Sequence, residues 1–176
     1  MNLLKKILAG IFIIVALFLL VALFLPSTYH VERSVVIQLP VEEVYPFVSN
    51  LNEWADWNPW TQTDPTVETT IIGSGHEIGS VWSWDGEKVG VGSLTIQELE
   101  PNKLMQSRLA FLKPQMFESD DIWTFEPINT GTKVTWINEG KLSYPVDRLF
   151  GLFMDGMLGR DFERGLENLK HITENS

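Results

Sequence analysis

The chain has 176 residues and no cysteine, which excludes disulfides and thiolate metal sites. Beyond Leu25, 23 acidic residues outnumber 11 basic ones, so that part of the chain carries a net charge of −12. This negative charge opposes binding to nucleic acid and to anionic lipid headgroups, since both select basic surfaces. The length that remains after an N-terminal apolar segment predicts one domain with its own core.

An apolar run near the N-terminus predicts a transmembrane helix over residues 7–25. Its nineteen residues are all Ile, Leu, Phe, Val or Ala except for Gly10. As a helix the run is roughly 28 Å long, close to the hydrocarbon thickness of a bilayer. A cleaved signal peptide is the alternative, but it has a shorter apolar stretch and an A-x-A-like cleavage site. The run ends instead in Phe24, Leu25 and Pro26, which favours an uncleaved anchor.

The basic residues around this run predict its orientation. Lys5 and Lys6 precede it, and the next permanently charged basic residue is Arg33. By the positive-inside rule, residues 1–6 are cytoplasmic and the domain lies outside or in a periplasm. The sequence thus predicts a single-pass protein of the plasma or inner membrane, with residues 26–28 as a tether that extends to roughly 10 Å.

The segment after the tether predicts a strand and then a short helical pair. Residues 29–38 are rich in Val and Ile and are soon followed by Pro40, which is typical of a strand that ends there. Over residues 41–48, apolar residues three and four apart follow acids in the opening turn, which predicts a helix start. Residues 50–56 predict a second short turn of helix.

Alternating apolar and polar residues after Thr66 predict six further strands. Turn-forming pairs separate them, including Asp85-Gly86 and Lys113-Pro114. Consecutive strands joined by short turns predict an antiparallel sheet. The predicted strands cover residues 68–72, 80–84, 88–99, 104–111, 118–126 and 132–141.

A long terminal helix is predicted over residues 146–172, where apolar residues recur at helical spacing. Such a series must be buried, so we expect the helix to lie across one face of a curved sheet. Four glycines interrupt it, each costing about 1 kcal/mol relative to alanine. They either leave room for a ligand between helix and sheet or permit close packing of the two. The apolar series is Val146, Leu149, Phe150, Phe153, Met157, Leu158, Phe162, Leu166, Leu169 and Ile172, and the glycines are Gly151, Gly156, Gly159 and Gly165.

Several segments, in this order, resemble the START/Bet v 1-like (SRPBCC) superfamily in its polyketide cyclase/dehydrase branch. The resemblance covers nearly all of residues 29–176 and implies an α+β helix-grip fold. In that fold a curved antiparallel sheet wraps a long C-terminal helix and leaves an apolar ligand-binding cavity. The segments are the opening strand with Leu39-Pro-Val-Glu-Glu-Val-Tyr-Pro-Phe-Val-Ser, Trp54-Ala-Asp-Trp-Asn-Pro-Trp60, Gly90-Val-Gly-Ser-Leu-Thr-Ile96, Trp123-Thr-Phe-Glu-Pro127, Gly131-Thr-Lys-Val-Thr-Trp136 and Leu158-Gly-Arg-Asp-Phe-Glu-Arg-Gly-Leu-Glu-Asn-Leu169.

The chain is rich in aromatic residues, with seven tryptophans and ten phenylalanines. Aromatic side chains offer a large apolar area with few rotamers, so they suit the walls of a hydrophobic site. Filling the core is the alternative role, because alternation shows which residues share a strand face and not whether that face looks inward. The predicted ligand-binding residues are Trp57, Trp60, Trp82, Trp84, Trp123, Phe125, Trp136, Met154 and Met157.

Few residues suggest catalysis. Asp121 shares the predicted strand face of Trp123 and Phe125, so an inward Asp121 would suit an acid or base. Asn138 and Arg108 are further candidates for polar groups in the cavity, and for all three a solvent-facing position is the alternative.

The sequence also predicts no metal site and no cofactor. His30, His76 and His171 lack metal-ligand spacing. The glycine-rich stretch 73–79 lacks the Lys-Ser/Thr pair of a phosphate loop, so we interpret it as a connection between strands. No G-x-S-x-G elbow occurs in the chain.

The sequence favours a membrane-tethered domain that binds a hydrophobic small molecule or lipid between sheet and terminal helix. A polyketide cyclase/dehydrase-like enzyme acting in the same cavity is the alternative. A third possibility, a subunit that docks on a membrane partner, would require an exposed apolar patch. The sequence leaves the identity of any protein partner open.

Overall fold

The computed structural model describes residues 3–176, in which an apolar helix precedes a seven-stranded antiparallel sheet and a long C-terminal helix. This order confirms the predicted helix-grip architecture. The elements are α1 (Leu3–Phe24), β1 (Thr28–Ile37), α2 (Val41–Ser49), a 3-10 turn (Leu51–Glu53), α3 (Trp54–Trp57), α4 (Pro59–Thr63), β2 (Glu68–Ile72), β3 (Val81–Gly86), β4 (Gly90–Glu100), β5 (Leu104–Lys113), β6 (Phe117–Ile128), β7 (Gly131–Lys141) and α5 (Val146–Glu174).

Helix α1 is the one helix among the described residues that is long and apolar enough to cross a membrane. Its side chains are almost all exposed, and Ala22 is the one buried residue in it. Length and composition fit both a membrane span and a signal sequence. Residues 1 and 2 of the predicted cytoplasmic segment lie outside the described residues, and the helix ends one residue before the predicted span does.

The sheet has the order β1-β7-β6-β5-β4-β3-β2, so β2 to β7 form a meander and β1 closes on β7. Most strand ends lie within one or two residues of their predicted positions. The predicted turn at Asp85-Gly86 is wrong, because both residues still pair with neighbouring strands and the chain turns over residues 87–89. Buried Asp64 explains the shift, since its Oδ2 accepts hydrogen bonds from the backbone N of Lys88 (2.7 Å) and Val89 (3.1 Å).

The short helices α2 to α4 lie over the inner face of the sheet. Asn58 begins α4, where its Oδ1 accepts a hydrogen bond from Trp60 N at 2.9 Å and Pro59 occupies the first helical position. The indole N–H groups of Trp54 and Trp57 donate to the carbonyls of Val48 and Phe47, which fixes both rings over the sheet. These contacts bring two tryptophans into the centre of the domain.

An arginine on the edge strand β1 forms ion pairs with helix α5. Arg33 crosses the helix, with Nη1 2.9 Å from Asp155 Oδ1 and Nε 2.8 Å from Glu163 Oε1. Gly159 lies beneath the guanidinium, where a Cβ would come within 2.1 Å of Nη2. A side chain at this position would therefore push the arginine away from its two acids.

The two halves of α5 bury different amounts of apolar surface. In the second half, Phe162, Leu166 and Leu169 are buried against the sheet. In the first half, four side chains of the predicted apolar series are 49–62% exposed, so the prediction that the whole series is buried is wrong there. At 100° per residue, these four point roughly 155° away from the buried group. We call them the outer stripe: Val146, Phe150, Phe153 and Met157.

Candidate functional site

Stacked aromatic rings fill the space between the sheet and the second half of α5. Trp123 stacks on Trp136 with ring centroids 4.2 Å apart, and Trp136 stacks on Phe162 at 4.1 Å. Trp54 and Trp57 pack edge-on against Trp123 at 6.2 Å and 5.5 Å. All five rings are at most 2% exposed. A ligand in the centre of the domain would have to displace these rings.

The nine predicted ligand-binding side chains divide into three groups by burial. Six are buried in the aromatic core, in agreement with the core-filling alternative, and Trp60 is half-buried over Trp136 and Phe162. Met154 is half-buried beside a recess, whereas Met157 is 60% exposed on the outer stripe. Ligand contact by these residues stays a prediction. The six core residues are Trp57, Trp82, Trp84, Trp123, Phe125 and Trp136.

A recess of about 210 Å³ lies between sheet and helix at the end of the domain next to α1. It forms where β1 begins, where β7 has just ended and where the first half of α5 passes over both. Gly151 contributes to its depth, because a Cβ there would come within 2.3 Å of Leu142 Cδ1. The apolar lining includes Tyr29, Val31, Leu142, Leu152 and Met154, and the polar lining includes Arg148 and Asp155.

A buried polar network lies behind the recess. The Tyr29 hydroxyl donates to Asn138 Oδ1, and Asn138 Nδ2 lies 3.4 Å from Asp121 Oδ1. Asp121 also accepts hydrogen bonds from Trp136 Nε1 at 2.8 Å and Trp123 Nε1 at 3.0 Å. The strand register explains this arrangement, since Asp121 is the direct partner of Asn138 across β6 and β7. The network thus connects the recess wall to the aromatic core.

Burial shifts the acidity of both ends of this network. Burial raises the pKa of Asp121 to about 6, although hydrogen bonds from Trp136, Trp123 and Asn138 act in the opposite direction. Burial also raises the pKa of Tyr29 to about 12, so its hydroxyl stays protonated and donates at neutral pH. The site therefore contains a carboxyl group, that of Asp121, whose pKa lies close to neutrality. Asp121 is 3% exposed and is surrounded by hydrogen-bond donors.

The structure brings together two of the three candidate catalytic residues. Asp121 and Asn138 are neighbours on the inner face, and the predicted sharing of that face by Asp121, Trp123 and Phe125 is confirmed by their burial. Arg108 lies on the outer face instead, where its Nη2 is 3.2 Å from Asp120 Oδ1. It is 40% exposed and does not reach the recess.

Sequence reasoning missed the residues that form the recess wall. Tyr29 and Val31 are buried and share the inner face of β1, and alternation along this strand is the signal that could have paired them. No sequence pattern marks Arg148 as part of the recess, because the position of its side chain depends on the contact between α5 and α1. Within residues 3–176, no group of three or more His, Asp or Glu side chains could hold a metal ion.

Comparison with known proteins identifies the family. A model described as "Polyketide cyclase / dehydrase and lipid transport" matches residues 28–174. No curated protein matches the chain.

Three solved structures show the likeness of the fold. The Zhui aromatase/cyclase from Streptomyces sp. R1128 is 16% identical, with a TM-score of 0.61 over 84% of this chain and 94% of that one. Protein CV1439 from Chromobacterium violaceum is 17% identical, with a TM-score of 0.61 over 85% and 98% of the two chains. The di-domain aromatase/cyclase StfQ of the steffimycin pathway is 12% identical, with a TM-score of 0.66 over 84% of this chain and 51% of that one. The predicted resemblance is confirmed, and the chain belongs to the polyketide cyclase/dehydrase and lipid transport family.

Proposed function

We propose that the protein is a membrane-tethered domain that binds a hydrophobic small molecule or one chain of a lipid in the recess between β1 and α5. The observation that carries this proposal is the recess itself, which is lined mainly by apolar side chains and lies beside the last turn of α1. Its volume of about 210 Å³ is below the ~300 Å³ at which typical ligand sites begin. A short acyl segment or a single ring fits this space better than a multi-ring molecule.

The polar lining of the recess favours an amphipathic ligand. Arg148 directs Nη1 to the carbonyls of Ala22 and Leu23 at the end of α1, at 3.3 Å and 3.4 Å. Its buried Nε has no hydrogen-bond partner among the described residues. A buried donor without a partner is costly, so a ligand carbonyl or carboxylate at this position would be stabilised.

The tether places the recess next to lipid. In this proposal α1 spans the membrane with its N-terminus in the cytoplasm, as Lys5 and Lys6 favour, and the domain lies outside. Three residues separate α1 from β1, so the domain cannot move far from the bilayer. An apolar ligand would pass between the bilayer and the recess without crossing much water.

Photoaffinity labelling of the full chain in POPC nanodiscs tests this proposal. The probe is a diazirine-bearing fatty acid, and crosslinked sites are mapped by peptide mass spectrometry. We expect labelling at Leu142, Leu152 and Met154 that excess unlabelled fatty acid removes. Met154→Trp should fill the recess and abolish this competable labelling, whereas Glu167→Trp, at an exposed position of the same helix, should leave it unchanged.

Labelling confined to α1, or labelling of the recess that Met154→Trp does not reduce, would contradict binding in the recess. Non-competable labelling of α1 in the same sample reports its contact with lipid independently. The two parts of the proposal, tether and recess, can therefore fail separately.

One observation favours an enzyme as the second candidate. Tyr29 forms part of the recess wall and is linked through Asn138 to Asp121, whose pKa of about 6 suits an acid or base. Zhui and StfQ are named as aromatase/cyclases, so the corresponding reaction is ring closure of a linear polyketide. If the site is catalytic, Asp121→Asn should abolish formation of an aromatic product, followed by ultraviolet absorbance, and leave probe labelling intact.

A further inference from the structure

The outer stripe is an apolar surface on a helix face that the sheet does not cover. Val146, Phe150, Phe153 and Met157 follow one another at i, i+4, i+7 and i+11, so they lie within about 60° of each other around α5. All four are between 49% and 62% exposed. Asp155 points to the opposite side of the helix, where it pairs with Arg33. An aligned, uncharged stripe of this kind marks a contact surface.

The start of α5 is held against the last turns of α1. The Tyr144 hydroxyl donates to the Leu19 carbonyl at 3.0 Å, and Arg148 donates to the Ala22 carbonyl at 3.3 Å. Leu19 lies five residues before Phe24, which is about 7.5 Å along the helix axis. When α1 spans a bilayer, the Tyr144 hydroxyl therefore lies about 7.5 Å deeper than the end of α1, within the ~5–10 Å to which interfacial helices penetrate.

A second exposed apolar site lies at the same end of the sheet. Leu112 near the end of β5 is 56% exposed, and Met116 in the β5–β6 loop is 81% exposed. Phe111 pairs with Phe117 where β5 ends, and Thr28 pairs with Lys141 where β1 begins, so the antiparallel order places both at the α1 end. Three strand spacings, about 14 Å, separate β1 from β5. The exposed apolar groups thus share the end of the domain from which α1 leaves.

We propose that the outer stripe lies in the interface of the bilayer that α1 spans, so that the first half of α5 is a second membrane contact and the recess opens toward lipid. This inference rests on the membrane tether of the proposed function. A lipid surface fits better than a protein partner because the stripe begins beside Tyr144 and Arg148, which already contact α1 at the depths of Leu19 and Ala22. Tyrosine and arginine are both typical of membrane interfaces.

The second half of α5 shows where this contact ends. Arg160 is exposed on the same side of α5 as the outer stripe. In this arrangement its basic group lies at the level of the lipid phosphates. Beyond it, Glu167 is exposed on the outward side of the helix, and acids do not enter an anionic or apolar layer. The helix therefore leaves the interface near residue 160.

Spin labels on the full chain in POPC vesicles test this inference. The chain has no cysteine, so each single-cysteine variant carries one label. Phe153→Cys reports the outer stripe, Glu167→Cys is the matched control on the polar half of α5, and Ile13→Cys reports α1. Power-saturation EPR with oxygen and with a water-soluble nickel chelate distinguishes lipid, water and protein surroundings. Near-ultraviolet circular dichroism of the tryptophan core verifies folding.

We expect a several-fold higher oxygen-to-nickel accessibility ratio at Phe153→Cys than at Glu167→Cys. High nickel access at Phe153→Cys would place the stripe in water and overturn the inference, while a lipid signal at Ile13→Cys would leave the tether intact. Low access to both reagents would mean that protein covers the stripe, either a second copy or a membrane partner, and would also overturn it. A nickel-accessible Ile13→Cys would refute the tether itself.

Discussion

At the scale of single residues, Asp121 is an unusual component of an aromatic core. Two indole N–H groups and one amide N–H converge on its carboxylate, which is 3% exposed. Each of these donors would be unsatisfied if the residue were apolar, and an unsatisfied buried donor costs about 1–3 kcal/mol. Asp121 therefore orients Trp123 and Trp136 so that their rings stack.

Asp121→Asn should change how stability depends on pH. The pKa of Asp121 is about 6 in the folded state and 3.8 as its ordinary value, so the folded protein binds more protons between these pH values. The free energy of unfolding gains a contribution of up to about 3 kcal/mol, which is fully present only below pH 3.8 and is lost as pH rises through 6. Asparagine removes this dependence, and urea unfolding followed by tryptophan fluorescence at several pH values measures it.

The adjacent Asp120 supplies the control for this measurement. It lies on the outer face beside Arg108, so Asp120→Asn changes the same chemical group outside the core. Asp121→Asn should also be less stable than the wild type by about 1–3 kcal/mol at neutral pH, because one amide oxygen replaces two carboxylate oxygens. Equal pH slopes for Asp121→Asn and the wild type would refute the raised pKa.

At the scale of elements, the glycines of α5 distinguish close packing from open space. A Cβ at Gly165 would come within 2.8 Å of Trp136 Cζ3 and 3.1 Å of Pro59 Cδ. Nothing lies within 4 Å of a Cβ at Gly156. Close packing therefore explains Gly165, whereas Gly151 is the glycine that leaves room in the recess.

Gly165→Ala and Gly156→Ala should have opposite effects on stability. The Trp136 ring is held between Trp123 and Phe162 and cannot yield easily, so Gly165→Ala should lower the free energy of unfolding by about 1–3 kcal/mol. Gly156→Ala should raise it by about 0.5–1 kcal/mol, because alanine favours the helix. Chemical denaturation of both variants under one condition measures the difference, and a stabilising Gly165→Ala would mean that the aromatic core is loosely packed.

Strands and turns could be predicted well because their signals are local. The alternation of apolar and polar residues predicted that Trp82 and Trp84 share one face of their strand, and glycines and prolines marked most strand ends. The β3–β4 turn could not be predicted, because Asp64, more than twenty residues earlier in the sequence, holds it. A contact between elements that are distant in sequence cannot be predicted from the local sequence around either one.

Helix α5 shows a second limit of sequence reasoning. Its apolar residues recur every three or four positions along the whole length, so the spacing predicts one continuous buried face. The apolar series passes from the exposed side to the buried side of the helix between Met157 and Leu158, which are adjacent in sequence, so the spacing stays intact. Burial in the structure was needed to separate the outer stripe from the core.

The candidate site was predictable only in part for the same reason. The pairing of Asp121 with Trp123 follows from alternation within β6. Tyr29 joins them from β1, ninety residues away, and Arg148 from α5, so the recess depends on tertiary contacts. Aromatic composition predicted a cavity wall, whereas the rings pack against each other.

At the scale of the whole molecule, α1 contributes little to the core of the domain. Among the buried hydrophobic residues, Ala22 is the one that lies outside residues 28–174. The family model also covers residues 28–174. A fragment from Ser27 to Ser176 therefore contains every strand and the complete aromatic core, and we expect it to fold without α1.

The negative charge of this fragment should oppose its binding to anionic vesicles. Its net charge of −12 repels anionic lipid, while the outer stripe adds a weak apolar attraction. In sedimentation assays we expect weak binding to POPC vesicles, less binding as POPG replaces POPC, and partial recovery when salt screens the repulsion. The double substitution Phe150→Ser and Phe153→Ser should remove the remaining binding. Binding that rises with POPG and falls with salt would mean that a basic surface, not α1 and the stripe, holds the domain at the membrane.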